Sequence, residues 1–206
     1  MANQEKKQNF LFYAALILLV FSVVIFSMNV IKVLKITGRA TGTANLTIEG
    51  KTQINFTIDN IDWGSGCVDA GKPNATLNTA AGAGNAVING NWTENTDGFR
   101  IENIGNQNVT LDLKTGKNAQ QLLGGTDPDY EYNVTNYEAN SCTPPAGFNL
   151  GTFYDVNTTN PGTRICDVFQ FSDSNDVIRI DVKLVIPSDS KTGAIGDTFT
   201  VTATTI

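Results

Sequence analysis

From Phe10 to Ile31 the chain runs 22 residues without a charge, FLFYAALILLVFSVVIFSMNVI, and no other stretch is comparably apolar. In an apolar setting such a run has few conformations open to it. A backbone denied water must satisfy its own N–H and C=O groups, which a helix does within one segment. About 20 apolar residues in a helix reach across a hydrocarbon core. The run therefore predicts a single transmembrane or hydrophobic helix, ended near Gly38 by a residue that tolerates a helix C-cap. Three regions follow: a short tail over 1–9 on the cytoplasmic side, an anchor helix over 10–38, and an extracellular domain over 39–206.

Flanking charge leaves the orientation undecided. Lys6 and Lys7 precede the run, while Lys32, Lys35 and Arg39 follow it, so a count of basic residues slightly favours the C-terminal side as cytoplasmic. The content of the domain argues the other way, because sequons and cysteines suit the outside, and basic residues after the run can snorkel to headgroups. An uncleaved signal anchor with its C-terminal domain outside is the first reading. Cleavage is the second, although a secretory signal has a shorter apolar core with a small-x-small site close behind it. The only passable site, Gly42-Thr43-Ala44, lies well past the run.

Beyond Arg39 the chain carries 19 acidic and 9 basic residues, with no basic cluster. Nucleic acid is a poor partner for such a surface, since binding rests on clustered Lys and Arg neutralising phosphates. Histidine is absent altogether, which removes the commonest general base and the usual imidazole metal ligand. The three cysteines, at 67, 142 and 166, lack the paired spacing of a structural zinc site. Carboxylates are the remaining catalytic candidates, and they sit on strand faces and turns, so no catalytic residue and no enzyme activity is assigned.

Period-two alternation dominates after Gly38, the mark of strands with one buried face. It appears in Leu46/Ile48, Ile54/Phe56/Ile58, Val109/Leu111/Leu113, Phe199/Val201/Ala203 and, most clearly, Ile178/Ile180/Val182/Leu184/Ile186. Asn89-Gly90, between Ala86–Ile88 and Trp92-Thr93, reads as a type I′ hairpin turn because both residues accept positive φ. Gly105-Asn106 separates Phe99–Ile104 from Val109–Leu113, and Gly193 to Asp197 links the last two strands. Only Lys117 to Leu123 looks helical. The expected fold is mostly β: an antiparallel β-sandwich, immunoglobulin-like or jelly-roll.

Seven N-x-T sequons stand at Asn45, Asn55, Asn74, Asn91, Asn108, Asn133 and Asn157. They make these residues candidate N-glycosylation sites on an exported chain, although an Asn/Thr-rich surface generates some of them by composition. An oxidising compartment also favours a disulfide. Cys142 and Cys166, in loop-like sequence, would close a loop of about 25 residues. Pairings with Cys67 remain open, and Cys67 alone reads first as a small buried thiol. Acidic residues crowd Asp127-Pro-Asp129-Tyr-Glu131 and Asp173-Ser-Asn175-Asp176. Calcium takes six to eight such oxygens, but neither segment is a complete loop, so no metal ligand is assigned. Trp63, Trp92, Tyr130, Tyr132 and Tyr137 could line a sugar platform or fill the core.

Lys6-Lys7, the long apolar helix and the β-domain together resemble the layout of archaeal type IV pilins and archaellins, whose helices leave the membrane and bundle into a filament core. Gln8-Asn9-Phe10 departs from that pattern, lacking the small residues preferred at the leader cleavage site. The ending Asp181–Pro187 with Asp197–Ala203 resembles the closing hairpin of secreted prokaryotic sandwich domains. Asp62–Gly66 and Phe99–Leu111 are similar to Asn/Thr-rich archaeal cell-surface proteins. These resemblances imply a structural surface or filament subunit. Its partners would be the lipid bilayer and further copies of itself, joined through the helix or by a donated strand drawn from Thr41 to Thr52. A membrane-anchored carbohydrate- or protein-binding module is the alternative.

Overall fold

The computed structural model describes residues 9, 10, 12–22, 46 and 48–206. The chain divides into two units, Met1–Ile48 and Glu49–Ile206. In the first, helix α1 covers residues 12–22, with 9 and 10 also helical. Eleven residues span only about 16 Å, about half of a hydrocarbon core. Among the described residues no helix is long and apolar enough to cross a membrane. The rest of the run, 23–31, the basic flanks and Gly38 lie outside the described residues. Leu46 and Ile48 alternate as a strand would, yet neither is in one.

The second unit holds β1 (Ile54–Ile58), β2 (Asn74–Asn78), β3 (Val87–Ile88), β4 (Phe99–Asn103), β5 (Val109–Thr115), α2 (Ala119–Leu122), β6 (Asp129–Asn136), β7 (Cys142–Thr143), β8 (Phe153–Asp155), β9 (Thr163–Phe169), β10 (Val177–Pro187) and β11 (Phe199–Thr205). They form a seven-stranded and a four-stranded sheet, with every strand pair antiparallel. The mostly β, antiparallel expectation therefore holds. One core joins the sheets: Ile101, Tyr132, Val134, Ile178 and Ile180 of the larger meet Val109, Leu111, Leu113, Ile165 and Phe169 of the smaller. A second cluster packs Trp63, Trp92 and Leu122 against Leu77, Tyr130, Val182, Leu184 and Ile186. Helix α2 is the one expected near Lys117–Leu123, started by an Asn118 capping box with Gln121.

Strand β10 is the spine of the larger sheet. One edge pairs with β6 from Ile178 to Val185. The other is shared, β4 taking Val177 to Ile180 and β2 taking Lys183 to Pro187. At the fork, Asp181 and Val182 face no residue of either strand, and side chains complete the ladder. Thr79 N–H donates to Val182 C=O (3.0 Å), and its Oγ1 accepts from Val182 N–H (2.9 Å) and donates to Asp181 Oδ1 (2.8 Å). The Arg179 guanidinium binds Asp181 Oδ1 (2.6 Å) and the carbonyls of Thr79 (2.9 Å) and Thr96 (2.7 Å). Gly98 fits because any Cβ there would lie 2.7 Å from both Asp181 Oδ1 and Ile180 O.

The fork overturns the expectation of one buried face per strand. Asp181 and, beside it on β6, Asn133 are both buried on the outward face. On the smaller sheet Asp112 is buried too, held by a two-pronged bond from its cross-strand partner Arg164 (2.8 and 3.2 Å).

Two connections differ from those read in the sequence. Asn89 does adopt positive φ (57°), but Trp92-Thr93 does not return along β3. Instead β3 pairs with β2 and Gly90 bridges Val68, because the Trp92 ring folds against Gly66 and Gly90, where a Cβ would meet it. The ending that resembles a closing hairpin is not one, since β11 pairs with β5 and not with β10, so Gly193–Asp197 carries the chain from one sheet to the other; Gly105-Asn106 separates β4 from β5 as read and likewise passes between sheets. Burial decides these cases: each strand's apolar face turns toward the shared core from the opposite sheet.

Cys142 and Cys166 are bonded, with Cα atoms 5.6 Å apart. They lie in strands, not loops, buried in β7 and β9 on neighbouring lines of the smaller sheet. Cys67 is a free, exposed thiol rather than a buried one.

Candidate functional site

The outward face of the larger sheet gathers the domain's unusual polar groups. Along β6 this face presents Asp129, Glu131 and Asn133. Opposite them stand Val185, Lys183 and Asp181 on β10, and Asp155 pairs with Glu131 from β8. Oxygens of Asp129, Glu131 and Asp155 lie within 4.8 Å of one another. Asp129 and Asp155, but not Glu131, border a cleft of about 450 Å³ that Asn118, Gln120, Asp127 and Tyr130 also line. Burial, and then the charge of Glu131, raises the Asp129 carboxyl above its ordinary range, while Lys183 opposes the shift. Lys183 Nζ is already bonded to Glu131 and lies over the Phe153 ring.

Two of these three carboxylates are legible in the sequence. Asp129 and Glu131 were singled out in the sequence, whereas Asp155 comes from a three-residue strand with no pattern to mark it. Asp127, their sequence neighbour, lines the cleft without joining the three. The donors are oxygen only, suited to a hard cation, but three carboxylates fall short of the six to eight oxygens calcium takes. An ammonium group occupies one of them.

The other acidic segment behaves differently. Asp176 is buried, its N–H donates to Glu138 Oε2 (2.9 Å), and burial followed by Glu138 raises its carboxyl to about 6. Its ordinary value is 3.8, so the folded chain takes up this proton before the unfolded chain does as pH falls. The contribution of Asp176 to stability therefore rises from neutral pH toward pH 4 and is lost as pH rises through about 6. Asp176→Asn, whose amide can still donate to Glu138, is expected to melt higher than the parent at about pH 7.5, with the gap closing near about pH 4.5. Thermal melts across that range check it; equal melting temperatures at neutral pH would contradict it.

The aromatic residues do not converge on a platform. Tyr130 and Tyr132 are buried, and burial raises both phenols. Tyr130 also reaches Asp197 Oδ2 (3.3 Å). The two tryptophans pack on the second core cluster, and Tyr137 is exposed with the Arg100 guanidinium 4.1 Å above its ring.

Sequon asparagines fall in distinct settings. Asn55 and Asn91 are exposed; Asn91 uses its oxygen to accept from Cys67 N–H (2.6 Å). Asn74, Asn108 and Asn157 are half-buried, and the Asn157 amide nitrogen donates to Thr163 Oγ1 (3.3 Å). Asn133 is 5% exposed. Asn45 lies outside the described residues. By register, Asn55, Asn74 and Asn133 share the outward face of the larger sheet.

The chain matches no family model, no curated protein and no solved structure.

Proposed function

We propose that this chain is a structural protein of the cell surface, anchored by its apolar N-terminal segment and built into an extracellular filament or surface layer. The observation that carries the reading is the Cys142–Cys166 disulfide buried between strands, which belongs in an oxidising compartment. An apolar run precedes that domain. The polar inventory supports the same reading, being spent on joining strands: Arg179 to the Thr79 and Thr96 carbonyls at the fork, Arg164–Asp112 between β5 and β9, and Lys183–Glu131 between β10 and β6. The two sheets form an immunoglobulin-like or jelly-roll sandwich outside the cell, and the helix sits in lipid or bundles with others in a fibre core. The chain has no catalytic role and binds no nucleic acid. Electron microscopy of native cell surfaces with a tagged chain tests this: label along filaments or a lattice is expected, and isolated, laterally mobile molecules would contradict it.

On this reading glycans decorate the domain. Glycopeptide mass spectrometry of native protein should find Asn55 and Asn91 modified and Asn133 bare, because a glycan needs an amide nitrogen that solvent can reach. An intact mass equal to the bare polypeptide would exclude glycosylation altogether.

The cleft at Asp129 and Asp155 supports one other reading, an anchored module that binds a small cationic or sugar ligand. A ligand screen by thermal shift discriminates: a hit abolished by Asp155→Asn, with no assembly at the cell surface, would favour the module.

A further inference from the structure

Most sheet edges here carry a device that discourages pairing with another chain. β3 and β7 are two residues long. β8 has three and ends in a charge, Asp155. β1 is broken by an irregularity between Phe56 and Ile58. β11 has none of these. It runs seven residues, Phe199–Thr205, as FTVTATT, with no charge, proline or glycine. It pairs with β5 in unbroken register, and among the described residues no strand lies on its other side.

The parity of that ladder shows what the free edge offers. Gly116 N–H donates to Thr198 C=O (3.1 Å), so Thr200, Thr202 and Thr204 exchange bonds with β5. The N–H and C=O groups of Phe199, Val201, Ala203 and Thr205 then point outward. Phe199, Val201 and Ala203 are also only partly buried against the core. The edge is thus short of both hydrogen-bond partners and apolar cover.

The same chain carries a segment with the opposite deficit. Ala44-Asn-Leu-Thr-Ile48 alternates as a strand, yet Leu46 and Ile48 are in no strand and are 84% and 78% exposed. The residues that follow are already engaged. Asn106 holds Glu49 C=O (2.9 Å) and Lys51 N–H, and Gln107 holds Thr52 Oγ1. A donor drawn from Thr41–Thr52 is therefore shortened to residues ahead of Glu49. Its pattern fits the edge: Leu46 and Ile48 would extend the Val201–Ala203 side, and Asn45 and Thr47 would extend the threonine row.

We propose that β11 accepts residues 44–48 of a second copy of this chain as an added strand, an inference that rests on the assembly reading above. Strand addition supplies main-chain hydrogen bonds for affinity and alternate side chains for specificity. Each copy has one donor and one acceptor, so the contact is head-to-tail and propagates into a fibre unless the rotation closes a ring.

The test uses the full-length chain with Cys67→Ser throughout. A version with Thr47→Cys and a differently tagged version with Thr202→Cys, both on the threonine row, are co-expressed and treated with a short bismaleimide. The expected result is a cross-linked pair carrying both tags. It should be lost when Leu46→Asp is added to the donor, while the melting temperature, insensitive to a change at an exposed residue, stays put. No mixed pair, in cells where the unmodified chain still forms filaments, would overturn strand donation and leave the assembly reading standing. Neither pairs nor filaments would overturn both.

Discussion

Arg179→Met is expected to destabilise the domain by about 3 kcal/mol, because removing one partner of a buried ion pair strands the other charge. The Asp181 side chain is 4% exposed and that of Arg179 23%, so the carboxylate has little water to replace the guanidinium. The loss extends beyond the pair. Arg179 also holds the carbonyls of Thr79 and Thr96, which tie the end of β2 and the approach to β4 to the fork. Asp181→Asn should cost less, about 1–2 kcal/mol, since Thr79 Oγ1 keeps an acceptor and Arg179 keeps its carbonyls. Urea denaturation of the three chains checks the order. A smaller loss for Arg179→Met than for Asp181→Asn would mean that the fork is held by packing rather than by charge.

The second large effect belongs to the disulfide. Cys142 and Cys166 are 24 residues apart in sequence. Opening a loop of that size returns entropy to the unfolded chain worth about 3 kcal/mol. Both sulfurs are buried, so Cys142→Ala with Cys166→Ala adds the loss of packed volume to the entropy, and reduction alone isolates the entropic part. β7 is two residues long and pairs only with β9, so it should be the first strand to fray. Hydrogen exchange on reduced protein should show Thr143 and Cys142 losing protection before the centre of β5 does. Uniform loss across the smaller sheet would show that the bond stabilises the sheet as one unit.

What the sequence disclosed and what it hid follow a physical line. Strands with apolar residues at every second position, such as Ile178 to Ile186 and Val109 to Leu113, were readable because they face one shared core. β2, β8 and β9 were not picked out, since Asn74–Asn78 and Phe153–Asp155 are short and mixed and β9 is irregular against β5. Partners were harder than strands. Asn89-Gly90 and the Pro187–Phe199 connection look like hairpin turns, but a turn residue reports local φ alone and cannot say to which sheet the next strand belongs. The cysteine pair was readable from context, its placement in strands was not. Of the acidic cleft, two carboxylates lay close in sequence and the third, Asp155, arrives only by β6–β8 pairing.

The position of β10 in the chain has a consequence for how this protein is made. β2, β4 and β6 all pair with it, and none of them pairs with either of the other two. As the polypeptide emerges from its N-terminus, three strands of the larger sheet wait with open edges until residues 177–187 appear. By then both cysteines have already passed, and β5, β7 and β9 can pair and be sealed by their bond, with β11 alone still to be added to β5. Three of the four strands of the smaller sheet thus form a platform that can exist before the larger one has a centre. A chain released short of Pro187 would have the seal without the spine.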